Sequence, residues 1–200
     1  MIKLRENKLV LASGNQGKIS ELQAMLIPLG IDVMSQSQFN TPEADETGLS
    51  FIENAILKAR NAAKYSGWTS IADDSGLEVD YLKGAPGIYS ARYSGAQATD
   101  KTNNKKILYE LRGVPEGQRT ARFHCALALI RFEHDPAPII VHETWEGILL
   151  DSPRGENGFG YDPLFYIPEF GCTSAELNKN EKNKVSHRAK AMQKLLMLLE

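Results

Sequence analysis

The chain has 200 residues, 42% of them hydrophobic, enough for one substantial core or a core with a small subdomain, so a single domain over residues 1–200 is expected. Its 23 Lys and Arg against 25 Asp and Glu leave no global basic field, which excludes the electrostatics of a nucleic-acid polymer or anionic membrane as partner. No stretch approaches the roughly 18 apolar residues of a membrane helix, and the polar segment Met1–Lys8 lacks the apolar core of a secretory signal, so a cytoplasmic protein is expected.

Leu9–Ala12 is a short apolar run bounded by Ser13-Gly14, the pattern of a buried strand. After Lys18, apolar residues Ile19, Leu22, Leu26 and Leu29 recur at helical spacing and Gly30 closes the segment, so strand, glycine loop and helix follow one another. Ile31–Met34 then reads as a second strand of a βαβ-like unit. Ser50-Phe51-Ile52-Glu53 fits a capping box for a helix reaching Tyr65, with Phe51, Ala55, Ala59, Ala62 and Ala63 near one stripe. Ile71-Ala72 predicts a brief strand ending at Asp73-Asp74-Ser75-Gly76, and Leu77–Leu82 the next one. Gly84–Gly95 reads as an ordered loop and Thr99–Leu111 as a helix. Thr120–Phe132 and Pro138–Trp145 are β-rich runs joined by the turn signal His134-Asp135-Pro136-Ala137, with Gly147–Asp151 as a continuation. A second glycine loop, Gly155–Pro163, precedes a C-terminal helix ending in Leu195, Leu196, Leu198 and Leu199. Cys125 falls in a strand and Cys172 in a loop, with no CxxC or Cys/His set, so both are expected as free thiols.

Ser13-Gly14-Asn15-Gln16-Gly17-Lys18 combines backbone N–H groups, glycines and a lysine at a helix start, the requirements of a phosphate cradle. It is not a Walker A loop, because two residues rather than four separate Gly14 from Gly17 and Ile19 stands where a magnesium-binding hydroxyl belongs. A helix-start turn with a solvated lysine explains the same residues. Asp73 and Asp74 repel as neighbours, a cost most easily met near a divalent cation; an Asx turn is the plainer reading, and on a strand only one of them need enter a site. Among Glu43, Asp45, Glu46 and Glu53, the last is accounted for by the capping box, Glu46 is a candidate metal carboxylate, and the others serve solubility or capping. Phe159-Gly160-Tyr161-Asp162 pairs two aromatics with a glycine hinge, as a base-stacking platform would. Lys179, Lys182, Lys184, Lys190 and Lys194 around Ser186-His187-Arg188 read first as a solvated face, although Lys182 and Arg188 could flank one loop–helix junction. His124, His134 and His142 read as structural or exposed.

Ser13–Lys18, Glu46-Thr47-Gly48 with Phe51-Ile52-Glu53-Asn54-Ala55, Ala72–Leu77, Gly84–Tyr93, Gly158–Pro163 and Ser186-His187-Arg188 together resemble the inosine triphosphate pyrophosphatase family, in its bacterial branch that hydrolyses dITP, ITP and XTP. The resemblance implies a mixed α/β fold, an elongated central sheet flanked by helices in two lobes with a substrate cleft between them, and a homodimer. It also implies cleavage of a nucleoside triphosphate to the monophosphate and pyrophosphate, clearing deaminated purine nucleotides from the pool before they enter DNA or RNA, with Mg²⁺ as cofactor. Carried over by motif, Ser13, Gly14, Asn15, Gln16, Gly17 and Lys18 would hold phosphates, Asp74 would activate water or bind metal, Glu46 would assist with the metal, and Ser75 would contact substrate. Phe159, Gly160, Tyr161, Asp162, Lys182, His187 and Arg188 would grip base and phosphates. Ser13 stands where the family commonly has threonine, and keeps the hydroxyl. The competing readings are a phosphoryl-transfer kinase, which should show a complete Walker A loop or an acceptor site, and a non-catalytic nucleotide-binding module, which has no need of Asp73-Asp74.

Overall fold

The computed structural model describes residues 4–199. Met1–Lys3 of the polar N-terminal segment and the side chain of Leu199 lie outside the described residues. The strands β1 (Lys8–Ala12), β2 (Asp32–Ser35), β3 (Ser70–Val79), β4 (Thr120–Ile130), β5 (Ile139–Leu149), β6 (Phe165–Ile167) and β7 (Cys172–Thr173) form one seven-stranded sheet in the order β2-β1-β3-β4-β5-β6-β7. The helices are α1 (Gln16–Leu26), α2 (Phe51–Ser66), α3 (Asp100–Glu110), α4 (Lys179–Val185) and α5 (His187–Leu199). The sheet is mixed, as expected: β1 is parallel to β2 and β3, whereas β6 is antiparallel to β5 and β7.

The predicted β–loop–helix–β start is present, with Leu9 opposite Val33 in the parallel register. The acidic cluster is placed differently from the expectation. Asp73-Asp74-Ser75-Gly76 does not end a strand but lies inside β3, which runs unbroken to Val79, and Asp80–Leu82 forms a 3-10 turn instead of more strand. The reason is pairing on two sides. Registry with β1 stops at Ala12 opposite Ala72, so the aspartates emerge where that neighbour ends, while β4 flanks β3 on its other edge. Cys172 likewise lies in the short strand β7 rather than a loop, and both cysteines are free. The single C-terminal helix expected from the leucines is two, divided at Ser186, whose extended backbone caps α4.

The chain divides into two compact units, the first comprising the chain to Asp74, Cys125–Glu143 and the chain from Arg188, the second Ser75–His124 and Thr144–His187. Each has its own core. In the first, Leu9 and Leu11 of β1 pack with Leu22 and Leu26 of α1, Leu127 and Leu129 of β4, and Met192 and Leu195 of α5. β1 also contacts α2, whose predicted stripe of Phe51, Ala55, Ala59, Ala62 and Ala63 is buried as expected. In the second, Ile107 of α3 and Leu111, which caps it, pack with Leu77, Phe123, Trp145, Phe165 and Ile167. Among the described residues, no helix is long and apolar enough to cross a membrane.

The turn between β4 and β5 is held by the fully buried Asp135, whose carboxylate accepts the N–H of Arg131 at 3.0 Å, the N–H of Ala137 at 3.0 Å and Nε of Arg131 at 2.7 Å. The Arg131 hydrogen bonds hold this carboxyl well below the ordinary aspartate range. A carboxyl lowered on folding stabilises above its unfolded value and loses that contribution as pH falls through the lower folded one. Asp135→Ala should lower the thermal midpoint by about 2–8 °C near neutral pH. The gap to the parent should narrow as the pH falls below the ordinary aspartate range, as differential scanning fluorimetry across pH would show.

Candidate active site

The loop after β1 delivers helix α1 with its N-terminus exposed. Asn15 caps the helix, accepting the Lys18 N–H on its side-chain oxygen at 3.1 Å, and the Asn15 N–H is itself bonded to Ser13 Oγ at 3.2 Å. Among the described residues, the N–H groups of Gln16 and Gly17 have no hydrogen-bond partner; a helix leaves its first-turn donors open, and they suit an anion. Gly14, Asn15 and Gln16 are exposed, so this helix start is open to solvent.

The Lys18 side chain turns back to Asp73, with Nζ 2.7 Å from Oδ1. Asp73 is fully buried and also receives Arg188 Nε at 2.7 Å and the Cys125 thiol at 3.1 Å. Arg188, 1% exposed, further pairs through Nη1 with Glu21 of α1. Burial opposes the charge of Asp73, but Arg188 and Lys18 overcome it and hold the carboxyl well below its usual value. Burial pushes the Cys125 thiol well up, as expected of an inert thiol.

Asp74, one residue on, has different surroundings. Its Oδ1 accepts Lys58 Nζ at 2.6 Å, and the same ammonium lies 3.2 Å from Glu46 Oε1. Burial raises the Asp74 carboxyl above its ordinary value, with Lys58 opposing. The loop carrying Glu46 is pinned to α2: Gly48 N–H donates to the buried Asn54 Oδ1 at 2.9 Å, and Glu53 accepts Leu49 N–H and the Ser50 hydroxyl at 2.9 Å each. Ser50 caps α2 as predicted, accepting the Glu53 N–H at 3.2 Å, but Glu53 returns to Leu49 N–H and the Ser50 hydroxyl. A Cβ at Gly48 would lie 2.6 Å from the Glu53 Cβ, so only glycine fits there.

Within the second unit, Phe159–Asp162 forms a tight turn before β6. Asp162, almost fully buried, accepts Lys182 Nζ at 2.7 Å, Phe159 N–H at 2.9 Å and the Ser174 hydroxyl at 2.9 Å. Lys182 Nζ sits 4.8 Å from the centre of the half-buried Phe159 ring, a cation–π contact. Tyr161 is buried, its hydroxyl donating to the Ser90 carbonyl at 2.9 Å. His187 is buried and stacked on Phe123 at 4.9 Å, with the rings 14° from parallel. Ser75, half-buried, follows Asp74 on β3.

The structure therefore gathers Lys18, Asp73, Glu21 and Arg188 into one cluster, Glu46, Lys58 and Asp74 into a second, and Phe159, Asp162 and Lys182 into a third. Of the five lysines read as a solvated face, Lys179, Lys184, Lys190 and Lys194 are exposed and Lys182 is buried. Of the histidines, His134 is exposed, and His124 of β4 lies 3.1 Å from Glu78. Lys58 and Glu21 carry no motif signal. Lys58 lies three residues after Ala55 and Glu21 four before Met25, on helix faces that carry apolar residues, where a buried charge must have a partner.

Among the described residues no group of three or more His, Cys, Asp or Glu is arranged to hold a metal ion. Magnesium does not require one, since it is typically held by one or two carboxylates, with substrate phosphates and water completing its shell. Glu46 and Asp74 fit that role: they are hard oxygen donors that already share one cationic group, the Lys58 ammonium.

A model of the Ham1 family matches residues 9–198. A dITP/XTP pyrophosphatase of Vibrio cholerae is 58% identical over 193 residues, 96% of this chain and 96% of that protein. Among solved structures, a HAM1 protein from Coxiella burnetii matches with a TM-score of 0.89 at 48% identity, covering 96% of this chain and 98% of the other. The Ham1 protein of Staphylococcus aureus matches with a TM-score of 0.85 at 42% identity, covering 96% and 97%.

Removing one partner from a buried charge pair leaves the others unneutralised, at a cost of about 3–5 kcal/mol. Arg188→Met should therefore lose that much stability in urea unfolding at neutral pH, with Asp73 and Glu21 left buried; a loss under about 1 kcal/mol would show that the pair is not load-carrying in the fold.

Proposed function

The chain belongs to the Ham1 family, and from that premise we propose that it hydrolyses deaminated purine nucleoside triphosphates, ITP, dITP and XTP, to the nucleoside monophosphate and pyrophosphate. The supporting observation is the Glu46–Lys58–Asp74 cluster in the same unit as the open N-terminus of α1. A phosphate cradle alone would serve a binding module; a burial-raised carboxylate beside it supplies a base. The Vibrio cholerae relative, a dITP/XTP pyrophosphatase, supports the choice of deaminated purines.

In this reading Ser13–Lys18 hold the triphosphate through the Gln16 and Gly17 N–H groups and the Lys18 ammonium. Asp74 takes the proton of a water that attacks the α-phosphorus, and the bond to the bridging oxygen breaks, releasing pyrophosphate. Its raised carboxyl is suited to that task, because a base works best with a pKa closer to the working pH. Lys58 orients Asp74 and balances charge between it and Glu46. Glu46 and Asp74 would hold Mg²⁺, which when bound neutralises charge on phosphate oxygens.

Ser75 is assigned a substrate contact, and Phe159–Asp162, Lys182 and His187 are assigned to the base, stacked on Phe159 and framed by the Lys182–Asp162 pair. Arg188 offers only donors, which match the 6-oxo group of hypoxanthine or xanthine and oppose the 6-amino group of adenine. Its Nε and Nη1 already donate to Asp73 and Glu21, so in this reading the remaining guanidinium N–H groups are the ones left for a base. The same reading carries a single catalytic domain, a homodimer and a cytoplasmic setting.

The deciding assay is product identification with ITP and Mg²⁺. Inosine monophosphate plus pyrophosphate is expected; diphosphate plus phosphate, or no turnover, would refute the proposal. Asp74→Asn should lower kcat by about 10²–10⁴-fold with a smaller effect on KM. Lys58 opposes the upward push of burial on Asp74, so Lys58→Met should move the acid limb of the kcat/KM profile to higher pH; a limb that stays in place would remove Asp74 as the titrating base.

A further inference from the structure

The Phe159–Asp162 turn is held from outside by helix α3. Asp100 Oδ2 accepts the Gly160 N–H at 2.7 Å, and Asn104, one helical turn on, donates from Nδ2 to the Gly160 carbonyl at 2.8 Å. Residues four apart on a helix share a face, so one face of α3 grips both polar groups of a single residue. That residue sits at φ +63°, which favours glycine, and a Cβ at Gly158 would collide with the Asp162 carboxylate. Phe159 therefore lies between two restrained peptides, its own N–H on Asp162 and the next residue held by Asp100 and Asn104.

The helix is anchored for this purpose at its start. Thr99 and Thr102 form a reciprocal capping box, and Asn103 bonds the carbonyls of Ser90 and Ala91 at 3.2 and 3.1 Å. The Ser90 carbonyl is also the acceptor of the Tyr161 hydroxyl, so α3 reaches the turn by a second route.

Asn104 carries a sign that stability did not select it. Its Oδ1 is buried with no hydrogen-bond partner among the described residues, a cost that alanine, the better helix former, would avoid. What asparagine supplies at this position is the bond to Gly160.

We propose that Asp100 and Asn104 are positioning residues that set the orientation of Phe159 and thereby selectivity for the purine base. The inference rests on the reading that Phe159 stacks on the base. Asn104→Ala should accelerate hydrogen exchange of a peptide covering residues 157–163, measured by mass spectrometry, by about three- to tenfold, the worth of one hydrogen bond. It should raise KM for ITP by about the same factor, with kcat changed less than about twofold. The ratio of kcat/KM for ITP to that for ATP should fall, while the thermal midpoint stays level or rises. Asp100→Asn, which keeps an acceptor, should retain selectivity that Asp100→Ala loses. In a Phe159→Ala background, Asn104→Ala should have no further effect on KM, because the two changes act through one ring.

Unchanged exchange in Asn104→Ala would overturn the positioning role whatever the kinetics. Faster exchange with KM and selectivity unaltered, in a protein where Phe159→Ala alters both, would overturn its consequence for recognition. If Phe159→Ala itself changes neither, the stacking reading fails, and the selectivity inference falls with it.

Discussion

A carboxylate with no contact to water must be neutralised where it stands, and in the first unit the one that ties several elements together is Asp73. Lys18, Arg188 and the Cys125 thiol all point their polar atoms at it, and Arg188 adds Glu21, so strand β3, the first turns of α1 and the start of α5 are tied to one point. A buried ion cluster is seldom more stabilising than well-packed apolar side chains of the same volume. Its effect here is one of placement. The helix that presents the open Gln16 and Gly17 N–H groups cannot rotate or slide without separating charges that have no solvent to turn to.

The next residue shows what the pleat of a strand does with two identical side chains. Successive residues on β3 face opposite ways, so Asp73 meets the arginine while Asp74 meets Lys58 and, through it, Glu46. One carboxyl is driven below its ordinary value and the other above it. In the proposed mechanism these neighbouring acids divide the labour, Asp73 staying a fixed charge and Asp74 accepting a proton. In the second unit, Asp162 plays the part of Asp73, holding Lys182 beneath the Phe159 ring and closing the turn on its own backbone.

Most of the elements were legible because their signals are local. The alanine stripe of α2, the β1–loop–α1 start and the turn at Asp135 each depend on residues within a few positions of one another. The strand through Asp73-Asp74-Ser75-Gly76 was not, because polar and glycine residues read as punctuation unless a neighbouring strand is known to hold them; β4 does so from about fifty residues away in the chain. The junction between Lys182 and Arg188 was legible, but the segment before it is the short helix α4 rather than a loop. Lys58 and Glu21 could not be singled out, since a lysine or glutamate on a helix is usually solvated.

The sequence by itself determined the family, through motif blocks spread in order along the chain, and with it the chemistry a site of these residues would perform. It also determined the Ser13–Lys18 loop and the helix start that follows it, whose glycines, cap and lysine are contiguous. Only the tertiary structure decided which aspartate is held by Lys18 and Arg188 and which meets Lys58, that Arg188 is bound to Asp73 and Glu21, and that α3 grips Gly160. The division has one physical cause. Hydrogen-bonding capacity and helix capping are properties of residue type and near neighbours, whereas the charge state and orientation of a buried group are set by whatever distant segments fold against it.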